Sequence, residues 1–95
     1  MVHLITHDLK SPNNTSEDYT RVIDGLKSTY KTWCHVEKSV WIVSTEQEAS
    51  AVRDAIKQLL YPTDILLVAR LSGNWASFNL SADRANWLKG QGQQF

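Results

Sequence analysis

The feature that most constrains the fold is an apolar run at residues 65–71, bounded by turn-forming segments at 61–64 and 72–74. Its length suits a β-strand, since strands usually span roughly three to ten residues. A strand with one face in water alternates apolar and polar side chains. Neither 65–69 nor the apolar stretch 40–43 alternates, so both are predicted to be strands that bury both faces.

Two amphipathic helices are predicted before this run. Apolar residues recur at helical spacing after Ser16, which we interpret as an N-cap, and they place the first helix at about 16–31. The second helix is expected to start with a capping box in which Thr45 is the N-cap and Glu48 reaches back to it. Proline in segment 61–64 ends this helix.

The predicted elements follow one another as β-α-β-β-α-β, with strands at residues 2–8, 33–37, 40–44 and 65–71. This is the ferredoxin-like split βαβ pattern, an α+β sandwich. Right-handed crossovers would place both helices on one face, with the first and third strands at the centre of the sheet. We therefore expect one ferredoxin-like domain over residues 1–95.

A C-terminal appendage, residues 73–95, follows the predicted core at 1–72. It is expected to contain a short strand at 75–80 and a short helix at 82–89. Because two helices cover only one sheet face, a second copy of the chain is expected to cover the other, in a twofold homodimer packed sheet to sheet. The predicted interface residues are Trp41, Val43, Leu67, Trp75 and Phe78.

Composition narrows the function classes. Lys and Arg total 10, as do Asp and Glu, so the formal net charge is zero. This argues against avid nonspecific nucleic-acid binding, which depends on neutralising phosphates. The single cysteine, Cys34, excludes an internal disulfide and is interpreted as a packing residue. No apolar run reaches membrane length, so we expect a cytoplasmic protein without a membrane partner.

Three segments resemble a known family. His-Val-Glu-Lys-Ser-Val-Trp at 35–41 resembles the central hairpin of the small subunits of CRISPR adaptation complexes, and 64–71 resembles their fourth strand. Thr-His-Asp at 6–8 resembles the end of their first strand. Nearly the whole chain resembles the SinR-like small proteins, which share that fold, and VapD-like ribonucleases are similar in fold.

The resemblance implies a ferredoxin-like homodimer in which Asp8 of each copy faces the dimer axis. Some members of the family are metal-dependent nucleases, and others use the fold only as a scaffold. This chain departs from the family pattern at three positions, with His7 for tyrosine, His35 for arginine and Glu37 for glutamine. Loss of the arginine removes a phosphate contact and weakens the nuclease hypothesis.

Asp8 is the candidate catalytic residue and metal ligand. Two Asp8 carboxylates at a dimer axis could hold one Mg²⁺ or Mn²⁺, and water and a substrate phosphate would complete the shell. In the alternative interpretation, Asp8 accepts backbone N–H bonds in the loop 9–14. No histidine role is expected, since His3 and His7 are about 13 Å apart along one strand.

Lys10, Arg70 and Trp75 are the candidate nucleic-acid contacts, and Arg53 and Lys57 could add to a phosphate patch. The alternative is that these charges are scattered and solvated. Three functions remain open. They are a non-catalytic dimeric scaffold or interaction module that binds RNA, DNA or a partner protein, a metal-dependent phosphodiesterase, and a toxin–antitoxin component.

Overall fold

Four strands and three helices make up the chain, and the computed structural model describes all of residues 1–95. The elements are β1 (Val2–Asp8), α1 (Ser16–Thr29), β2 (Thr32–Glu37), β3 (Val40–Ser44), α2 (Ala49–Lys57), β4 (Ile65–Arg70) and α3 (Ala82–Gly90). The predicted α+β class is confirmed. No helix has the length and apolar character needed to cross a bilayer.

The strands form one antiparallel sheet in the order β2-β3-β1-β4. β1 and β3 are therefore the inner strands, and β2 and β4 are the edges. In the register of β1, Ile5 lies between Trp41 of β3 and Val68 of β4. This register sets which side chains share a face, because neighbouring residues along a strand point to opposite sides.

The helix starts differ from those that the sequence predicts. α1 is capped by Thr15, whose side-chain oxygen accepts a hydrogen bond from the backbone N–H of Asp18. The Asp18 carboxylate in turn accepts from the backbone N–H of Thr15. α2 begins at Ala49, and the predicted capping box at Thr45 is absent. Thr45 instead donates its N–H to Met1 O at 2.9 Å, so it prolongs the pairing of β3 with β1.

The first core lies between the sheet and the helices α1 and α2. Alternate residues of the inner strands point into it, among them Ile5, Trp41 and Val43, each without exposed surface. Val22 of α1 and Val52 of α2 pack against them. Burial of side chains of this size stabilises the fold by about 1.5–3 kcal/mol each.

The second core covers part of the opposite sheet face and is built by the C-terminal appendage. Leu88 of α3 is 5% exposed and packs with Val2, Cys34 and Ile42. The expected strand at 75–80 does not form. One reason is Asn79, whose φ of 61° interrupts an extended backbone. The chain's own appendage thus covers much of the face that we expected a second copy to cover.

Candidate functional site

Part of the second sheet face lies beyond the appendage, at the end of β1 and along β4. Side chains on this face alternate along the strands. The open part, which we call the uncovered strip, consists of Thr6, Asp8, Val40, Ile65, Leu67 and Ala69. Ile65 is 54% exposed and Leu67 is 60% exposed. Adjacent exposed apolar side chains of this size are typical of interaction surfaces.

Asp8 ends β1 and lies opposite Ile65 in the pairing with β4, so its carboxylate belongs to the uncovered strip. Its Oδ2 accepts a hydrogen bond from Lys10 Nζ at 2.6 Å. The Asp8 side chain is 59% exposed and that of Lys10 is 45% exposed. Water screens such a pair, which leaves it a net stabilisation of about 0–1 kcal/mol. Asp8 is thus accessible to a partner, and the positive charge of Lys10 lies next to its carboxylate.

The loop after β1 is held by Asp64 and not by Asp8. The backbone N–H of Lys10 donates to Asp64 Oδ1 at 2.8 Å, and that of Tyr61 donates to Asp64 Oδ2 at 2.9 Å. The role that the alternative interpretation gave to Asp8 therefore belongs to Asp64. An aspartate directly before a strand, after a proline turn, was the available sequence signal for it.

Metal binding by one chain alone does not fit the residues present. No group of three or more histidine, cysteine or acidic side chains lies close enough together to hold an ion. Asp8 supplies one carboxylate, and one of its oxygens is bonded to Lys10. Mg²⁺ takes about six oxygen ligands in octahedral geometry. A site based on Asp8 would need the same residue from a second copy.

The three candidate nucleic-acid contacts do not meet at one place. Lys10 is hydrogen-bonded to Asp64, the residue directly before β4, whereas Arg70 is the last residue of that strand. Five strand residues separate the two ends by about 17 Å. Arg70 also donates to Phe95 O at 3.3 Å. Trp75 is partly buried against the second core, which reduces the surface that it can offer to a base.

The predicted interface residues lie in three environments, since Trp75 is partly buried against the second core and the other four are either fully buried or exposed. Trp41 and Val43 have no exposed surface, because they point toward α1 and α2. They are core residues and present nothing to a partner, which corrects their assignment to the interface. Leu67 lies on the uncovered strip, and Phe78 is 90% exposed in the loop before α3.

The histidines of β1 are buried on the helix side of the sheet. His3 Nε2 lies 2.7 Å from Gln47 O, whereas neither ring nitrogen of His7 has a hydrogen-bond partner. Burial lowers the pKa of His7, the nearby His35 lowers it further, and Asp64 and Asp8 oppose the shift. His7 is therefore held as neutral imidazole, and its position away from Asp8 excludes a shared site.

A groove between α2 and the edge strand β4 was not predicted from the sequence. One cavity of about 490 Å³ is lined by Arg53, Lys57, Leu60, Tyr61, Pro62, Asp64 and Leu66. A second, of about 270 Å³, is lined by Ala49, Ser50, Arg53, Leu66, Leu67 and Val68. Arg53 and Leu66 border both, so the cavities lie end to end. Arg53 and Lys57 thus line the same groove and are not scattered over the surface.

A further cleft of about 440 Å³ lies between β2 and the start of α3 and is bordered by Trp33, Cys34 and Trp87. Arg84 crosses it and donates from Nε to His35 O at 2.7 Å. Burial raises the pKa of the Cys34 thiol, against the opposing charge of Arg84. Cys34 is therefore a protonated packing residue, as predicted.

Comparison of the chain with models of protein families and with curated proteins finds no match.

Proposed function

We propose that the chain is a ferredoxin-like, homodimeric module that binds nucleic acid without cutting it, in the manner of the non-catalytic relatives of the CRISPR adaptation subunits. The observation that carries the proposal is the uncovered strip, which exposes Ile65 and Leu67 beside the ion pair of Asp8 and Lys10. The β2-β3-β1-β4 order of the sheet supports the ferredoxin-like assignment.

The composition of the strip supports the proposed dimer. A twofold axis through it would place the apolar centre of one copy against that of the other, and each Asp8–Lys10 pair would lie at the rim. The side chains of Ile65 and Leu67 are the natural anchors, because they are large, exposed and adjacent to an inner strand. Phe78 lies outside the strip and is not needed for this interface.

The spacing of the cations in such a dimer supports the proposed nucleic-acid binding. Lys10 and Arg70 lie at opposite ends of β4 in each copy. A dimer would present two such pairs, which suits an extended phosphate backbone better than a single nucleotide. With zero formal net charge, the interaction should depend on these few contacts, so its salt dependence should be shallow.

Two measurements test the proposal. Sedimentation equilibrium at micromolar concentration should give twice the chain mass of 10.8 kDa. Fluorescence anisotropy with labelled single-stranded RNA, single-stranded DNA and duplex DNA should then show binding. For about two to four phosphate contacts, the logarithm of the binding constant should fall against log salt with a slope near −1.5 to −3.5. A folded monomer that binds none of the three would contradict the proposal.

A metal-dependent phosphodiesterase is the second candidate, and the exposure of Asp8 on the uncovered strip is the observation that favours it. For the two Asp8 carboxylates to hold one Mg²⁺ or Mn²⁺, the twofold axis would have to pass beside Asp8 and not through the apolar centre of the strip. A hydrolysis assay on RNA and DNA, with each metal and with EDTA, separates this candidate from the non-catalytic module. No observation in the structure favours a toxin–antitoxin component.

A further inference from the structure

The outer edge of β4 is unpaired, because β4 ends the sheet. The N–H of Leu71 donates to Val2 O at 2.8 Å, which fixes the hydrogen-bonding phase of β4 against β1. The direction of the backbone N–H and C=O groups alternates along an antiparallel strand. Those of Leu67 and Ala69 therefore point toward β1. Leu66, Val68 and Arg70 point theirs outward, and such an edge is a template for one more strand.

The groove between α2 and β4 runs along this free edge. Leu66 and Val68 form its apolar floor, and the small side chains of Ala49 and Ser50 leave it open at one end. Its two end-to-end cavities, of about 490 and 270 Å³, can accept successive side chains from one face of an added strand. An unpaired edge beside a side-chain groove is the arrangement by which β-strand addition gives both affinity and specificity.

The cations of α2 define the occupant, since the one carboxylate that lines the groove, Asp64, already accepts backbone N–H bonds from Lys10 and Tyr61. Arg53 and Lys57 are exposed on the α2 wall of the groove. Arg53 is paired with Asp54 at 3.0 Å, whereas Lys57 has no salt-bridge partner. Glutamate side chains of an added strand could lay their methylene groups over Leu66 and reach these cations. Residues on the opposite face of that strand would meet the exposed apolar side chains of β4, chiefly Leu67.

We propose that the groove between α2 and β4 binds an extended peptide of alternating acidic and apolar residues, which adds to the edge of β4 as a fifth strand. Nucleic acid fits this edge less well, because phosphates only accept hydrogen bonds, whereas the outward groups of β4 are both donors and acceptors. A second copy of the chain fits less well too. Twofold pairing of β4 with β4 would bring Arg53 and Lys57 of both copies into one seam, where like charges repel.

The direct test is fluorescence anisotropy with a fluorescein-labelled peptide, Glu-Val-Glu-Val-Glu-Val-Glu. It should bind saturably, and a Lys-Val-Lys-Val-Lys-Val-Lys peptide should not. Lys57→Glu should weaken binding by about fivefold, the order expected for charge reversal at a solvated pair. Lys31→Glu changes the net charge equally at an exposed residue before β2, and it should leave the Kd unchanged.

Backbone pairing is tested separately by N-methylation of the peptide. Methyl groups on the glutamate nitrogens block one edge of the strand, and those on the valine nitrogens block the other. Only one of the two methylated peptides should bind. Equal binding of both would overturn strand addition, as would failure of the unmodified peptide to raise the anisotropy.

Amide hydrogen exchange followed by NMR locates the peptide. Bound peptide should protect the N–H groups of Leu66, Val68 and Arg70, and those of Leu67 and Ala69 should not change, since they already pair with β1. Protection of the first set without peptide, rising with protein concentration, would assign the edge to a second copy and overturn the proposal. A single-stranded RNA 12-mer that displaces the peptide and is weakened by Lys57→Glu would also overturn it.

Discussion

Lys10 and Asp64 are joined by a 2.8 Å hydrogen bond from the backbone N–H of Lys10 to Asp64 Oδ1, across 54 positions of the chain. Together with the bond from the Tyr61 N–H to Asp64 Oδ2 at 2.9 Å, it ties the loop after β1 to the turn before β4. The loop that carries Lys10 beside Asp8 is thus positioned by a distant carboxylate. These two hydrogen bonds to Asp64 therefore contribute both to the stability of the fold and to the position of Lys10 beside the uncovered strip.

Asp64→Ala should lower the free energy of unfolding by about 1–3 kcal/mol, because it leaves two backbone N–H groups without their acceptor. Urea denaturation followed by circular dichroism measures the change. Asp54→Ala is the matched control, since its carboxylate bonds only the exposed Arg53 side chain and should cost about 0–1 kcal/mol. Equal effects of the two substitutions would contradict the role of Asp64.

Stability should fall as the pH drops below the ordinary histidine pKa of about 6.5. Burial lowers the pKa of His7 in the folded chain, so the unfolded chain binds more protons in this range. The contribution of His7 is complete above pH 6.5 and is lost as the pH falls toward the lowered value. His7→Phe should flatten this part of a plot of unfolding free energy against pH.

The control for the pH profile is His35→Gln, because His35 is partly exposed. That variant should keep most of the acid-side loss of stability, although removing the His35 charge relieves His7 slightly. A wild-type profile that is flat between pH 7 and 5 would contradict the buried neutral imidazole.

Leu67→Lys should dissociate the proposed dimer and leave the monomer folded, since Leu67 is 60% exposed on an edge strand, where lysine is well tolerated. The dimer Kd should rise about tenfold or more, which corresponds to a loss of at least 1.4 kcal/mol at the interface. Sedimentation velocity measures it. Val43→Lys is the informative contrast: Val43 has no exposed surface, so that variant should unfold.

If the protein cuts RNA or DNA, Asp8→Asn should reduce the rate by orders of magnitude with the fold intact. The amide keeps the size of the side chain but removes the charge that a hard cation requires. Gel-based cleavage assays with Mg²⁺ or Mn²⁺ measure the rate, and Asp83→Asn, an exposed aspartate in α3, is the control. Cleavage that persists in EDTA, or that is unaffected by Asp8→Asn, would contradict a metal site at Asp8.

Leu88→Ala should destabilise the whole chain by about 2–5 kcal/mol, the usual cost of removing a buried leucine. Leu88 is 5% exposed and seals the second core, so the appendage is integral to the fold. Thermal and urea unfolding should both report the loss. Lys89→Ala, its exposed neighbour, should stay within about 0.5 kcal/mol of wild type.

The sequence predicted those elements whose signals are local. The helical spacing of Val22 and Leu26 and the apolar run that begins at Ile65 place α1 and β4 within a residue or two of their observed bounds. Thr45 was misassigned as a helix cap because its pairing with Met1 is a long-range contact that no local pattern reveals. Local patterns therefore locate most of the elements but do not reveal a particular contact such as that of Thr45 with Met1.

The candidate site was harder to predict than the fold for the same reason. Asp8 ends a strand in a turn-rich context, but only the folded chain shows that Asp64 takes the backbone bonds and that Lys10 pairs with Asp8. Trp41 is a residue type that is common at interfaces, but it lies in the core. Its face of the sheet is decided by register, and a shift of one residue reverses it.

The second core joins Val2, near one end of the chain, to Leu88, near the other. All four strands and the first two helices are complete once Arg70 has been synthesised. The helix-side core can therefore close before α3 docks, and until then Val2, Cys34 and Ile42 remain in water. For that interval the partly folded domain carries an apolar face that is larger than that of the native fold and open to chaperones or to premature self-association.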